Sequence, residues 1–310
     1  MNPEVSIVIP CFNHGKYLRE AIDSVARSTF ADVEIVVVDD GSTDDTAAIA
    51  RSYGARVQLI QQTNRGLSAA RNAGIGVAKG RLLHFLDADD RIDPQFLARM
   101  VQAADQQDDA AVFCGGWRLV DSTNRPFATG SVSLPANTYR FLLGGNPMPC
   151  HAAVVRRTAI ATVELFDESL AALEDWDLWL RLAGAGHRFV AVPGALVDYR
   201  RHPGSMSRDI GRMLAAAHTV LRKHRGHHPT ARWRGMRAIR FGQYCENVLP
   251  EVRRSGARSI CRALLRHPAL VESALLYSLF ALCPPLRRRL RVSGLPFERD
   301  QDGGRGDRSV

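Results

Sequence analysis

The first ninety residues alternate between short apolar runs and segments whose apolar residues recur every three or four positions. Apolar runs of strand length lie at residues 5–9, 33–38 and 82–86, and such runs are typical of strands buried on both faces. Residues 56–60 are predicted to form a further strand. Residues 17–25 and 66–78 have the spacing of amphipathic helices. This alternation predicts an α/β protein with a mostly parallel central sheet flanked by helices.

Two of the predicted strands end in acidic residues. The second runs into Asp39-Asp40-Gly41-Ser42, and the fourth runs into Asp87-Ala88-Asp89-Asp90. Ligands bind at the carboxyl edge of an open α/β sheet, and two acids one residue apart suit a hard divalent cation that grips phosphate oxygens. A solvated acidic turn explains the second run equally well at this stage. For Asp39, satisfying nearby backbone donors is an equally good explanation.

Helix starts are predicted beside both acidic runs. Ser42 or Thr43 is the expected cap of the helix after the second strand. After the fourth strand, Asp93 is the expected N-cap, with Pro94 at the first helical position. Both helices would then begin at the edge of the sheet that carries the acids.

Two other α/β classes fit the first half less well. The glycines of residues 74–80 close a predicted helix, whereas a dinucleotide-binding fingerprint must follow a strand and open a helix. A phospho-acceptor receiver domain would explain the acids at 39–40, but it is complete in roughly 120 residues and needs no second acidic strand end. Both classes are therefore disfavoured.

The second half of the chain adds one helix with acids in its first turn. Residues 111–114 and 188–192 are predicted strands, and Glu174 and Asp175 open an amphipathic helix, where the helix dipole favours carboxylates. In that helix we expect Trp179 in the core. For His151, a hydrogen-bonded packing role is favoured over catalysis.

Four motifs in order resemble the family 2 glycosyltransferases: residues 5–10, 39–42, 64–72 and 87–90, with the likeness extending over residues 4–205. The resemblance implies a GT-A fold. It places a catalytic domain at residues 1–210, with a nucleotide-sugar-binding half at 1–110 and an acceptor-binding half at 111–210. Residues 211–310 would form a helical basic extension with a disordered end.

The resemblance also implies roles for individual residues. Those expected to contact the nucleotide are Pro10, Phe12, Asp40, Arg71 and Asp87. Those expected to hold a Mn²⁺ or Mg²⁺ ion are Asp89, Asp87, Asp90 and His202. The predicted catalytic base is Asp175, with Glu174 as its neighbour, and Trp176 is a candidate for stacking on a sugar ring. Arg200 or Arg201, in a segment like the family's Y-R-x-H, would face phosphate unless the segment is an ordinary basic loop.

Charge and cysteine content bear on location. The net charge of +9 is concentrated in residues 211–310, which hold 20 Lys and Arg against 7 Asp and Glu. There, the apolar run at 274–282 is followed by three arginines, which suits either an interfacial helix on an anionic membrane or a helix packed on the body. No recognition motif supports nucleic-acid binding. Because the start lacks a basic signal-peptide region and the six cysteines lack pairing spacings, we expect reduced thiols and a cytoplasmic protein.

The combined prediction is a metal-dependent, inverting glycosyltransferase. It would move a sugar from a nucleotide-diphosphate donor, with UDP-sugars favoured, to a hydroxyl of a glycan or lipid-linked acceptor in cell-surface polysaccharide or glycolipid synthesis. Two alternatives stay open from the residues alone. A nucleotidyltransferase would use the same strand-edge metal, and a non-catalytic binding protein would keep the fold without the chemistry.

Overall fold

The structure is a computed structural model that describes residues 2–224. Within that part of the chain, one sheet contains nine strands. Their bounds are β1 (Val5–Cys11), β2 (Val33–Asp39), β3 (Val57–Gln61), β4 (Leu82–Phe85), β5 (Arg91–Ile92), β6 (Ala110–Val120), β7 (Pro126–Gly130), β8 (Ala153–Arg156) and β9 (Arg188–Arg200). The strand order is β3-β2-β1-β4-β8-β6-β9-β5, and β7 pairs with β6.

Eight α-helices are present in the same described residues. They are α1 (Gly15–Ala26), α2 (Thr46–Ser52), α3 (Leu67–Val77), α4 (Phe96–Gln106), α5 (Thr138–Leu142), α6 (Arg157–Ile160), α7 (Glu174–Gly184) and α8 (Ile210–Lys223). Helix α1 buries one apolar face, from which Leu18, Ala21 and Ile22 reach the core, whereas α7 is buried on all sides over most of its length. The prediction of an α/β fold is confirmed.

The strand order reverses between β1 and β4, because β2 and β3 lie on one side of β1 and β4 lies on the other. Strand β1 pairs in parallel with β2 on one side and with β4 on the other, and β3 extends the β2 side. Open α/β sheets bind ligands in the crevice outside the carboxyl ends of strands at such a switch point. Beyond β4 the pairing is mixed, because β8 is antiparallel to β4 and β6, while β9 is parallel to β6.

Burial explains why the first strands read as unbroken apolar runs. All residues of β1 and β4 are buried, since helices cover both faces of this part of the sheet. Each fully buried Val, Ile or Leu contributes about 1.5–3 kcal/mol relative to an exposed one. The core of the described part therefore lies along the strands whose ends carry the acids.

The predicted start of α2 at Ser42 or Thr43 was wrong. Helix α2 begins at Thr46, with Asp45 at its N-cap position. Ser42 instead donates its backbone N–H to Asp39 Oδ1 at 2.9 Å, and its hydroxyl oxygen accepts the N–H of Asn13 at 2.9 Å. Ser42 thus stabilises the loop after β2 rather than capping the helix.

The predicted start of α4 at Asp93 and Pro94 was also wrong. Helix α4 begins at Phe96, and the preceding residues Arg91–Ile92 form β5 against β9. The backbone N–H of Asp93 donates to Leu196 O at 3.0 Å. A strand pairing with a segment a hundred residues later therefore displaces the helix start that the local pattern predicted.

The two tryptophans of α7 both lie in the core. Trp179 is buried as expected. Trp176 is 0% exposed and its Nε1–H donates to Leu142 O at 2.8 Å. The expectation that Trp176 stacks on a sugar was wrong, because its ring packs inside the protein and its only polar atom is bound to a carbonyl of α5.

Helix α8 is the described part of the predicted basic extension. Its apolar face, formed by Ala216, Ala217, Val220 and Leu221, belongs to the core. Lys223 binds Asp167 at 2.6 Å and Asp177 at 2.9 Å. The domain boundaries remain predictions, and residues 225–310, including the apolar run at 274–282 and Cys245, Cys261 and Cys283, lie outside the described residues.

Cysteine and helix content of the described part bear on two further expectations. Cys11, Cys114 and Cys150 are free and buried, as expected of reduced thiols. Burial raises the pKa of the Cys11 thiol to about 12, so it is no thiolate nucleophile at neutral pH. Among the helices within residues 2–224, none has both the length and the apolar character that a membrane crossing requires.

Candidate active site

The loops after β1 and β2 are tied together at the carboxyl edge of the sheet. Asn13, with a left-handed φ of 55°, donates its N–H to Ser42 Oγ and accepts the N–H of Thr43 on its Oδ1 at 2.8 Å. Asparagine is one of the few non-glycine residues that adopt this conformation readily. The two loops therefore form one fixed wall of the crevice.

Asp40 is committed to the loop that leads into α3. Its Oδ1 accepts the N–H of Arg65 at 2.9 Å and the amide of Gln62 at 2.7 Å, and its Oδ2 accepts the N–H of Gly66 at 2.8 Å. Only 3% of the residue is exposed. The predicted contact of Asp40 with a nucleotide base stays a prediction; what the structure shows is a carboxylate that holds a backbone turn.

Three other residues at this edge have contrasting surroundings. Asp39 accepts the N–H of Ser42, which confirms the backbone-donor interpretation of this residue. Pro10 is buried within β1. Phe12 is 45% exposed at the end of the same strand, and an exposed aromatic ring beside a ligand crevice suits stacking on a planar base.

Asp89 lies in a group with two histidines. Asp89 Oδ2 is 2.9 Å from His202 Nε2, and one donor atom each of Asp89, His202 and His14 lie within 4.8 Å of one another. The N–H of Gly204 donates to His202 Nδ1 at 3.2 Å, which assigns the imidazole proton to Nε2, facing Asp89. One carboxylate and two imidazoles form a donor set that suits a first-row divalent ion.

Asp87 and Asp90 lie in a second group, with His151. His151 Nδ1 is 3.1 Å from Asp90 Oδ2 and 3.7 Å from Asp87 Oδ2, distances that fit ion pairs. His151 is 0% exposed, and neither ring nitrogen has an aligned hydrogen bond in residues 2–224. Burial, with the negative charges of Asp89 and Asp87, raises the pKa of Asp90 well above its usual range.

Arg71 connects this acidic edge to α7. Its guanidinium binds Asp87 Oδ1 at 2.6 Å through one nitrogen and Glu174 Oε1 through another, and it lies over the ring of Phe166. Although burial alone would raise it, the pKa of Asp87 is held well below its usual range by the positive charge of Arg71. Arg71 is 1% exposed, so in this conformation it positions two carboxylates; its predicted nucleotide contact stays a prediction.

The start of α7 places Asp175 next to Glu174, which Arg71 joins to the acidic edge. The preceding residue, Leu173, is left-handed with φ 60° and ψ 25°, a strained conformation for a branched side chain. Asp175 accepts the N–H of Trp176 on Oδ1 at 2.7 Å and the amide of Asn146 on Oδ2 at 3.1 Å. Burial, then the negative charge of Glu174, raises the pKa of Asp175 to about 7. A carboxylate with this pKa can accept a proton near neutral pH.

Arg200 fixes the turn that carries the acids. Its backbone N–H donates to Asp90 Oδ1 at 2.6 Å, its Nε donates to Asp89 O at 2.7 Å, and its guanidinium binds Glu20 at 2.9 Å and lies over Tyr17. Arg200 is buried. Of the two arginines expected to face phosphate, Arg200 is thus directed into the protein instead.

The predicted metal residues divide between the two groups. Asp89 and His202 come together, and Asp87 and Asp90 come together around His151. Sequence reasoning missed His14 and disfavoured His151 for any functional role. His14 follows directly after β1, at the edge already predicted to bind ligands, and that position was a usable signal. No local pattern pointed to His151, whose acidic partners lie sixty residues earlier.

Comparisons with known proteins bear on the family and the fold of the chain. A family model described as glycosyl transferase family 2 matches residues 6–163. An uncharacterized glycosyltransferase of Rickettsia prowazekii (strain Madrid E) is 32% identical over 188 residues, covering 58% of this chain and 58% of that protein. The uncharacterized glycosyltransferase EpsJ of Bacillus subtilis (strain 168) is 40% identical over 121 residues, covering 38% and 35%. The chain thus matches less than two thirds of the length of these relatives.

Two solved structures share the fold. S. aureus TarS 1-349 in complex with UDP-GlcNAc has a TM-score of 0.59 at 19% identity, covering 84% of this chain and 79% of that one. The mannosyltransferase PcManGT of Pyrobaculum calidifontis, in complex with GDP-Man and Mn²⁺, has a TM-score of 0.59 at 18% identity, covering 93% and 83%. These likenesses confirm the GT-A fold. Since the family model spans just over half of the 310 residues, this chain belongs to glycosyl transferase family 2.

Proposed function

We propose that the chain transfers a sugar from a nucleotide-diphosphate donor, with UDP-sugars favoured, to an acceptor hydroxyl with inversion of configuration. The proposal rests on two neighbouring sets of side chains: Asp89 Oδ2 lies 2.9 Å from His202 Nε2, and burial raises the pKa of Asp175, at the start of α7, to about 7. Arg71 joins the two through Asp87 and Glu174. The donors held by the neighbours TarS and PcManGT support a nucleotide-sugar partner.

Asp89 and His202 are the proposed core of a Mn²⁺ or Mg²⁺ site, with Asp87 and Asp90 close by. Metal–ligand bonds of about 2.0–2.2 Å place adjacent ligands about 3 Å apart, which matches the separation of Asp89 Oδ2 and His202 Nε2. A bound ion would neutralise the charge that builds on the departing diphosphate. The Mn²⁺ in PcManGT supports this assignment.

His202 has to change its hydrogen bonds to serve as a ligand. Its Nε2 now carries the proton that faces Asp89, and its Nδ1 accepts the N–H of Gly204. To offer Nε2, the neutral ring must carry its proton on Nδ1, where it can no longer accept from Gly204. We therefore expect the backbone around Gly204 to move when the site is loaded.

Asp175 is the proposed catalytic base. Asn146 and the N–H of Trp176 hold its two oxygens in place, so the carboxylate is oriented before the acceptor arrives. Removing the proton from the acceptor hydroxyl allows direct attack on the anomeric carbon from the face opposite the leaving diphosphate. A single displacement of this kind inverts the configuration.

The nucleotide is proposed to lie along the ends of β1 and β2. Phe12 is exposed there and can stack on the base. Pro10 and Asp40 shape the floor and the adjoining loop, since Pro10 is buried in β1 and Asp40 holds the backbone at Arg65 and Gly66. Arg71 is proposed to position Asp87, whose carboxylate it binds.

Calorimetry tests the donor proposal most directly. UDP, dTDP and GDP are titrated into the full chain with Mn²⁺ and again after chelation, with UDP expected to bind best and only with the ion. If none of the three binds, the proposal falls. Product analysis with a bound nucleotide-sugar then shows whether a free nucleoside diphosphate is released and whether the anomeric configuration is inverted.

We also propose that the enzyme works at the cytoplasmic face of a membrane on a lipid-linked or glycan acceptor in cell-surface synthesis. The support is compositional: the apolar run at 274–282 and the three arginines after it suit an anionic surface. Both lie outside the described residues. A chain ending at 265 should leave the membrane fraction while keeping donor binding, and a truncated chain that still sediments with membranes would overturn the proposal.

A further inference from the structure

His14 is placed at the candidate site without a role in the fold that explains it. It occupies the N-cap position of α1, but its side chain forms no capping hydrogen bond, and histidine is not among the residues that cap helices well. Its ring lies edge-on to His202 at 6.2 Å between centroids. The imidazole therefore contacts His202 at the site as well as Tyr17 of its own helix, which lies 6.3 Å away between ring centroids.

The backbone on both sides of His14 is pinned. Asn13 is bonded to Ser42 and Thr43, and the N–H of Gly15 donates to Asp44 Oδ2 at 2.9 Å. A Cβ at Gly15 would lie 2.0 Å from Asp45 Oδ1, so the close approach of these loops requires glycine. A ligand held on such a fixed loop needs little reorganisation to bind an ion.

The distances fit a three-ligand arrangement. Donor atoms of His14, Asp89 and His202 all lie within 4.8 Å of one another. Bonds of about 2.0–2.2 Å place the donors around one ion about 3–4 Å apart. Shifts smaller than the length of a metal–ligand bond would therefore allow all three donor atoms to bind one ion.

We propose that His14 is a third protein ligand of the metal and that it makes the site selective for transition-metal ions. This inference rests on the proposed function, which needs only Asp89 and His202. Carboxylate and water oxygens suit Mg²⁺, whereas imidazole nitrogens favour first-row transition ions. A set of two imidazoles and one carboxylate should therefore bind Mn²⁺ and Co²⁺ more tightly than Mg²⁺, and this preference depends on the second imidazole.

The test measures metal binding directly, without turnover. Mn²⁺ and Mg²⁺ are titrated calorimetrically into the full-length wild type, His14→Ala and His14→Gln. His218→Ala is the matched control, because His218 is an exposed imidazole on α8. We expect both His14 variants to lose about 10–100-fold in Mn²⁺ affinity, to change much less in Mg²⁺ affinity, and hence to lose the preference for Mn²⁺. The control should bind as wild type does.

Pulsed electron paramagnetic resonance of Mn²⁺-loaded wild type gives a second readout that needs no variant to fold. Nitrogen couplings from two imidazoles support the proposal, and couplings from one overturn it. His14 variants with wild-type Mn²⁺ affinity, or variants that lose only nucleotide affinity, also overturn it while leaving the proposed function intact. A wild type that binds neither ion, with or without UDP, overturns both.

Discussion

The ends of β2 and β4 look alike in sequence and differ in the structure. Each is a buried strand that runs into two or three carboxylates. At the end of β2, backbone N–H groups of Ser42, Arg65 and Gly66 bind the acids. At the end of β4, most partners are the side chains of Arg71, His151 and His202, and Asp90 also accepts the backbone N–H of Arg200.

That difference separates a structural edge from a functional one. A backbone N–H that fixes a turn cannot leave without disrupting the loop, because a buried carboxylate would lose its donors. Side-chain partners can rearrange, and an incoming cation can take the place of a proton between Asp89 and His202. Strong pKa shifts at Asp87 and Asp90 show how much charge is concentrated at β4. We therefore assign the metal chemistry to the β4 edge, whereas the acids of the β2 edge hold the loop beside which the nucleotide is proposed to lie.

The largest effect is expected at Asp175, which Arg71 links to the β4 edge through Glu174. Asp175→Asn should lower turnover by about 10²–10⁴-fold, as for loss of a general base. Affinity for nucleotide and Mn²⁺ should stay near wild type, because the base acts on the acceptor. Steady-state kinetics and calorimetry measure the two, with the exposed Asp108→Asn as control. Normal turnover in Asp175→Asn would refute the assignment.

Asp89→Asn tests the β4 edge itself. Removing the carboxylate should abolish Mn²⁺-dependent nucleotide binding and lower kcat/KM by about 10²–10³-fold, the scale of losing one electrostatic stabiliser of the transition state. Thermal stability should hardly change, since the substitution also removes a negative charge near Asp90. A variant that keeps metal-dependent binding would place the ion elsewhere.

A smaller effect is expected when kcat/KM is measured against pH. With the pKa of Asp175 at about 7, kcat/KM should fall about tenfold per unit as the pH drops below that value, because only the ionised carboxylate accepts the proton. The raised pKa also predicts that stability present at low pH is lost as the pH rises through about 7. Rate profiles and denaturant melts check both, and a flat rate profile would contradict the role.

The smallest effect is expected at the β2 edge. Asp40→Asn should lower the free energy of unfolding by about 1–3 kcal/mol, because the amide cannot accept all the bonds from the loop at 62–66. Mn²⁺ affinity should be unchanged. Urea denaturation gives the first quantity and calorimetry the second, with exposed Asp32→Asn as control. If Asp40→Asn kept its stability but lost Mn²⁺ binding, the β2 edge would have a role in metal binding and the assignment above would be wrong.

Local pattern was enough for the main elements and for part of the site. The pattern of apolar residues predicted β1, β2, β3 and β4. The acids at two strand ends were correctly expected at the carboxyl edge of the sheet. The acids of α7 were expected in its first turn, where Glu174 and Asp175 are found. The starts of α2 and α4 were misjudged, since Ser42 and Asp93 bind partners outside their own segments.

Sequence by itself determined where the first four strands lie and that carboxylates stand at the ends of β2 and β4, because periodicity and turn chemistry are properties of neighbouring residues. Only the tertiary structure decided which partner each carboxylate has. His202 reaches Asp89 across 113 positions and Arg71 reaches Glu174 across 103, and no local pattern encodes such pairings. Whether an acidic strand end holds a loop or can hold an ion follows from those distant partners, since burial and charge are set by everything packed around the group.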